Sequence, residues 1–242
     1  GAKDNGGSRS ASSSSGGARS TGGTRRAFGG TGAAYFIIDH TEEIAKAFVA
    51  DLKGRDIKQY DPSRTQTALD TAAKAGYFAG ARTIINNSWG GGGFSSSENS
   101  VINNAYNTYG AIILGAAGNG NEDTGQEEYA AHYPSSYDNT ISVCAIGCNG
   151  IWGNWATYHT TVDLAAPGEN VYSAIIGTGY ESWAGSSMAS PNAASVHGLV
   201  WAYHPDWTNV QVRNQVSSSA DPFIYDINPN YIDCNGNSTG GY

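Results

Sequence analysis

Apolar positions follow two periods along this chain, and the change from one to the other marks its elements. Residues 1–32 show neither period: they are rich in Gly, Ser, Ala and Arg, with almost nothing apolar to bury, and so predict a flexible arm. From Tyr35 the character changes. Tyr35-Phe36-Ile37-Ile38 predicts a buried strand. Thr41 then opens a predicted helix, with Glu42 and Glu43 at its positive end and Ile44, Ala45, Phe48, Val49 and Leu52 on one face. Ile57 to Tyr60 predicts a short strand, and Asp61-Pro62 caps and starts a helix over roughly 63–79.

The alternation continues. "TIINNSWG" (83–90) predicts a strand running into glycines, Ser95 to Tyr109 a helix, "AIILGAAGN" (111–119) a second buried strand and "TISVCAIG" (140–147) a third. Strands separated by helices imply a parallel sheet covered on both faces. Ligands of such sheets gather at the carboxyl ends of the strands, where Ser88, Asn119 and the loop before Ser187 would fall. Further on, "VDLAAPG" (162–168) predicts a short strand, Thr208 and Gln211 form a capping box, and the tail from Asp226 reads as loop.

Composition narrows the partners. A net charge of −8, with 13 Lys and Arg against 21 Asp and Glu, disfavours a nucleic-acid backbone. No apolar run is long enough to span a bilayer, and nothing at the start resembles a secretory signal, so the chain reads as soluble, a mature form or fragment if secreted. The three cysteines, Cys144, Cys148 and Cys234, permit at most one internal disulfide and bring no fourth ligand at zinc spacing; packed or singly paired cysteines are expected.

The chemistry concentrates in "AGSSMASP" (184–191). Gly185 permits a sharp turn, and Ser187 falls at the amino end of a predicted helix reaching about Tyr203, with apolar residues at Met188, Ala193, Val196, Leu199, Val200 and Tyr203. Unpaired N–H groups there favour developing negative charge, so a serine hydroxyl could attack a carbonyl while they receive the oxyanion. The plainer role for Ser186 or Ser187 is that of an N-cap. Asn119 stands between Gly118 and Gly120, where it could aim a side-chain amide or simply hold a turn.

Gly185-Ser186-Ser187-Met188-Ala189-Ser190-Pro191 resembles the nucleophile motif of the subtilisin-like serine proteases (subtilases), Gly-Thr-Ser-Met-Ala-x-Pro, departing only at Ser186. "AAGNGN" (116–121) resembles the family's oxyanion segment, and "NNSWGGGG" (86–93) the edge strand that pairs with a bound peptide. "YPSSYDNTISVCAI" and "VDLAAPGENVYS" resemble the segments between them, and the likeness runs from Arg82 to about Ile232. It implies a three-layer α/β fold with a mostly parallel central sheet and helices on both faces. Residues 33–242 would form the catalytic domain, truncated at one or both ends, with 1–32 either a linker or a stretch whose letters poorly record part of that domain.

The resemblance further implies a secreted or extracellular serine endopeptidase, monomeric, with a polypeptide substrate. No cofactor is required; a structural calcium, frequent in the family, is allowed, but no loop names its ligands. Ser187 would be the nucleophile and Asn119 the oxyanion donor. Ser88, Trp89 and Gly90 would pair with the peptide, and the small residues Gly115, Ala116 and Ala117 would leave room for the side chain before the cleaved bond.

The family's histidine motif, His-Gly-Thr-x-Val-Ala-Gly, is absent from the sequence. Three registers remain. "GGTGAAYFIID" resembles the strand that carries the family aspartate, which would make Asp39 the orienting carboxylate. Alternatively His40 opens its helix as the family histidine does, with Asp4 as carboxylate. In the third, Gly6 stands in the histidine's place and the aspartate precedes the chain start. Asp39 and His40 are neighbours whose side chains would point to opposite faces of a strand. His132 and His159 lie in predicted loops and have no family role, and His197 and His204 are expected to pack. A domain that keeps the groove and binds peptide without cutting it is the competing reading.

Overall fold

The computed structural model describes residues 35–37, 62–91, 93–121, 124–147, 150, 155–174 and 179–224. The predicted arm over 1–32, the helix from Thr41, the strand from Ile57, the tail from Asp226, and Asp4, Gly6, Asp39, His40, Cys148 and Cys234 lie outside them.

Five strands form one parallel sheet in the order β1, β2, β3, β5, β7: Tyr35–Ile37, Arg82–Asn87, Ile112–Ala116, Ile141–Ile146 and Leu164–Pro167. Between them run the helices α1 (Pro62–Phe78) and α2 (Ser96–Asn107), and after them α3 (Ser186–Tyr203) and α4 (Asn209–Ser219). Two small pairs were not foreseen: β4 (Glu128–Tyr129) beside β6 (Thr157–Tyr158), and an antiparallel hairpin of β8 (Val171–Ala174) and β9 (Tyr180–Trp183).

The strand period sorts the core into two layers. On β3, Ile112 and Leu114 face one way and pack with Ile141, Val143 and Ala145 of β5 against Ala189, Ala193 and Trp201 of α3 and Val212 of α4. Ile113 faces the other way, onto Leu69, Ala72 and Ala73 of α1 and Ile102 and Ala105 of α2. Every residue of β3 is buried, as expected for a strand covered on both faces. The fold is thus three-layered, with helices on both sides of a mostly parallel sheet. Cys144 is buried and free, and burial pushes its thiol well above the usual range.

One helix departs from its expected pattern. Val196, Leu199 and Tyr203, read as apolar positions of α3, are exposed, whereas Ala189, Ala193, His197 and Trp201 turn inward. The inward stripe follows i, i+4, i+8 spacing, with small Ala189 and Ala193 near the start of the helix and His197 and Trp201 further along. His197 is fully buried, with Nδ1 at 2.8 Å from the Ala193 carbonyl, and burial holds its pKa below 6.5. His204 stacks on Trp207 at 3.7 Å. Among the described residues, no helix is long and apolar enough to cross a membrane.

Candidate functional site

The carboxyl ends of β2 and β3 and the amino end of α3 meet at one edge of the sheet. Strand pairing on β2 stops at Asn87, whose Nδ2 donates to the Leu114 carbonyl at 3.0 Å and so ties the two strand ends together. Ser88, Trp89 and Gly90 therefore leave the sheet, instead of continuing the strand to residue 90 as its pattern suggested.

Pro191 explains what happens next. In a helix the N–H of residue i+4 bonds the carbonyl of residue i, and proline has no N–H, so the Ser187 carbonyl loses its helical partner. Ser88 Oγ donates to that carbonyl at 2.7 Å, while Ser187 Oγ donates to the Ser88 carbonyl at 3.2 Å. Asn86 extends the lock: its Nδ2 donates to Ser88 Oγ at 2.9 Å and its Oδ1 accepts from Ser190 Oγ at 2.7 Å. Four polar side chains thus hold the first turn of α3 against the end of β2.

On the other side stands Asn119. Gly118 and Gly120, at φ of +117° and +74°, make the turn that presents it. Its Oδ1 accepts two bonds from Ser186, 2.8 Å from the backbone N–H and 2.9 Å from Oγ, and Ser186 Oγ in turn accepts from the Gly118 N–H at 3.1 Å. Its oxygen is thus held twice by Ser186, and Nδ2, on an exposed residue, takes no part in these bonds. The N-cap of α3 is Gly185, with no side-chain cap bond, so neither Ser186 nor Ser187 serves as one. The Ser187 N–H, in the first turn, has no preceding helical carbonyl to bond.

The segment expected to give room for a substrate side chain is closely backed. A Cβ on Gly115 would lie 2.9 Å from Ser135 Cα, and Ala116 and Ala117 are buried. Beyond Ser187, the hairpin and α3 enclose a cleft of about 290 Å³ whose lining includes Val171, Trp183, Met188 and Pro191. Trp183 Nε1 donates to Glu181 Oε2 there at 2.9 Å.

The structure therefore brings together Ser187, Asn119, Ser88 and the start of the 88–90 segment, at the end of the sheet where Gly115–Ala117 lie. Asp39 and His40 are outside the described residues, and no described imidazole is hydrogen-bonded to Ser187. Sequence reasoning missed Ser186 as the group that orients Asn119, and Ser88 as a side chain. Both had a signal: Ser186 keeps the hydroxyl of the threonine it replaces, and a proline four residues after Ser187 frees a carbonyl that something must satisfy. Among the described residues, no three His, Cys, Asp or Glu side chains converge on one point.

A parallel three-layer sheet whose strand ends face the uncapped start of a long helix defines an α/β domain of the subtilisin-like class. A sequence profile of the Subtilase family matches residues 13–238, and the chain belongs to that family. It is 37% identical over 137 residues to a thermostable alkaline protease of Halalkalibacterium halodurans, covering 57% of this chain and 36% of that protein. It is 33% identical over 137 residues to subtilisin E of Bacillus subtilis, covering 57% of this chain and 35% of that protein. The chain thus spans about a third of the length of these relatives. Among solved structures it resembles the S41 psychrophilic protease, with a TM-score of 0.60 and 28% identity over 67% of this chain and 57% of that one. Sphericase aligns with a TM-score of 0.57 and 28% identity over 64% of this chain and 54% of that one.

Proposed function

We propose that this chain is a serine endopeptidase that hydrolyses peptide bonds through an acyl-enzyme on Ser187. The observation that supports this reading is the double hold of Ser186, the neighbour of Ser187, on Asn119 Oδ1, which leaves the amide nitrogen of Asn119 outside those bonds and able to act as a donor together with the N–H of Ser187. Such donors matter because they meet charge that forms only in the transition state.

A polypeptide lies extended along Ser88-Trp89-Gly90 and Gly115-Ala116-Ala117, held by main-chain bonds. Ser187 Oγ leaves the Ser88 carbonyl and attacks the scissile carbonyl carbon, giving its proton to the imidazole of His40, with Asp4 as the orienting carboxylate. The oxyanion takes bonds from Asn119 Nδ2 and the Ser187 N–H. The C–N bond breaks, the departing amine takes the proton from the imidazole, and its half of the chain leaves past the cleft between the hairpin and α3. Water then attacks the acyl-enzyme by the same steps in reverse and restores the hydroxyl. No cofactor enters, and we place the activity outside the cell, in a monomer.

A second reading, a peptide-binding domain that does not cut, draws on two observations: the Ser187 hydroxyl donates to the Ser88 carbonyl, and no described imidazole meets it. A fluorophosphonate probe separates the two. Labelling at Ser187 that Ser187→Ala abolishes supports the peptidase; absence of labelling in folded protein that still binds peptide supports the second.

A further inference from the structure

Ser186 holds the far end of the Asn119 side chain, and a second residue holds its root. Thr157, the first residue of β6, grips the turn on both sides of Asn119. Its backbone N–H donates to the Gly118 carbonyl at 3.3 Å, and its Oγ1 accepts from the Gly120 N–H at 2.8 Å. Each peptide group is a rigid plane, so holding the two planes that meet at Asn119 Cα fixes its φ and ψ, and with them the direction of its Cα–Cβ bond. The fit is close as well: a Cβ on Gly118 would collide with Thr157 Oγ1 and sit 2.9 Å from Thr157 Cβ, so only glycine lets the two backbones approach this far.

The residue that grips is itself braced. Thr157 is buried and pairs with Glu128 in the parallel pair β4–β6, and the carbonyls of its neighbours Ala156 and Tyr158 accept from the Glu128 and Ala130 N–H groups at 3.4 and 3.3 Å. β-Branching stiffens its side chain, which presents the hydroxyl in one direction. Gly120 is backed by the Trp155 carbonyl, against which a Cβ would lie 2.5 Å away, so the turn cannot slip off the hydroxyl in that direction.

We propose that Thr157 is the positioning residue of Asn119: by pinning both peptide groups that flank it, Thr157 aims the carboxamide at the place where the oxyanion forms. The proposal rests on the reading of Asn119 as oxyanion donor and goes further in naming what aims it. Thr157 touches no reacting atom. Its effect comes from preorganisation, because a donor already aimed does not have to reorient as charge develops.

The test compares Thr157→Val, which keeps the branched shape and removes the acceptor, with Thr157→Ser, which keeps the acceptor. Turnover of a tetrapeptide anilide is measured for each. Thr157→Val should lower kcat by about 10-fold with KM unchanged, less than the about 10²–10³ expected for loss of the donor itself. Thr157→Ser should restore it. In the Asn119→Ala chain Thr157→Val should lower kcat no further, since nothing remains to be aimed. An equal fall in both backgrounds, or a lower urea midpoint with kcat unchanged, is the result of a merely structural role and overturns the proposal. Two NMR measurements need no turnover. In the unaltered chain the Gly120 amide proton should exchange slowly, and free exchange overturns the proposal even if Thr157→Val does not fold. The side-chain amide signal of Asn119, identified by its loss in Asn119→Ala, should move in Thr157→Val and return in Thr157→Ser; an unmoved signal overturns the proposal. If that signal moves while the unaltered chain neither turns over nor labels at Ser187, Thr157 keeps its aiming role and the hydrolytic reading falls.

Discussion

Two helices of this chain begin in opposite ways. At α4, Thr208 Oγ1 accepts from the Gln211 N–H at 3.3 Å and Gln211 Oε1 accepts from the Thr208 N–H at 2.9 Å, a reciprocal cap that uses up the local donors. At α3 the cap position is Gly185, and the two serines that follow turn sideways, one to Asn119 and one to Ser88. A capped start is worth about 1 kcal/mol to a helix. At α3 that side-chain cap is forgone: Asn119 takes the Ser186 N–H, and the Ser187 N–H has no preceding helical carbonyl to bond. The capped start of α4 thus serves the helix itself, whereas the open start of α3 coincides with the proposed site.

If the open start is where chemistry occurs, Ser187→Ala should have the largest effect on function and little on stability, because its hydroxyl caps nothing. Probe labelling and hydrolysis of a casein substrate should both disappear, while the urea midpoint stays close to that of the unaltered chain. A fall in the midpoint comparable to loss of a cap would place Ser187 with Thr208 and erase the contrast. Asn119→Ala should come next, lowering kcat by about 10²–10³ with KM little changed. That scale is the one known for a side-chain oxyanion donor in subtilisin, a relative, and is carried over from it. A rise in KM at constant kcat would instead make Asn119 a ground-state contact.

The contrast was only half legible in the sequence. Thr208 and Gln211 could be read directly, because a capping box is a local motif whose partners are three residues apart. The sheet was equally legible, since Ile112 to Ala116 is a continuous apolar run between turn residues. The open start was visible as a serine before an apolar stretch, but its partners were not, because Asn86, Ser88 and Asn119 lie 104, 99 and 67 residues from the groups they meet on α3. Side-chain bonds at such separations leave no periodic trace. The face of α3 misled only in part: Ala193 is buried as its pattern suggested, but Val196, Leu199 and Tyr203 are exposed while Ala189 and Trp201 turn inward.

Ser186 sharpens the comparison, since it takes part in both stability and chemistry. Ser186→Ala removes the hydroxyl that bridges Gly118 N–H and Asn119 Oδ1, leaving a buried N–H without an acceptor at a cost of about 1–3 kcal/mol. Asn119 keeps its bond from the Ser186 N–H, so the labelling rate should fall by only about 5-fold, the worth of one hydrogen bond near 1 kcal/mol. Ser186→Thr should restore both quantities, because threonine presents the same hydroxyl. Loss of stability without any change in labelling would show that the amide is oriented by the backbone bond alone.

Thr208→Ala supplies the smallest effect and the cleanest control. It opens the closed start: Gln211 N–H loses its acceptor, and the Gln211 side chain loses one of its two contacts to Thr208. The loss should be about 1 kcal/mol, which in a domain of this size lowers the melting temperature by about 2–4 °C. Val212 and Val216, one and two turns further on, remain buried and hold α4 on the core, so the helix shifts in stability without leaving its place. Labelling at Ser187 should be unchanged at 25 °C, because no bond of the α3 start involves α4. Were Thr208→Ala to slow labelling as much as Ser186→Ala does, the two helix starts would be coupled through the core, and an uncapped start would no longer distinguish a site from a scaffold.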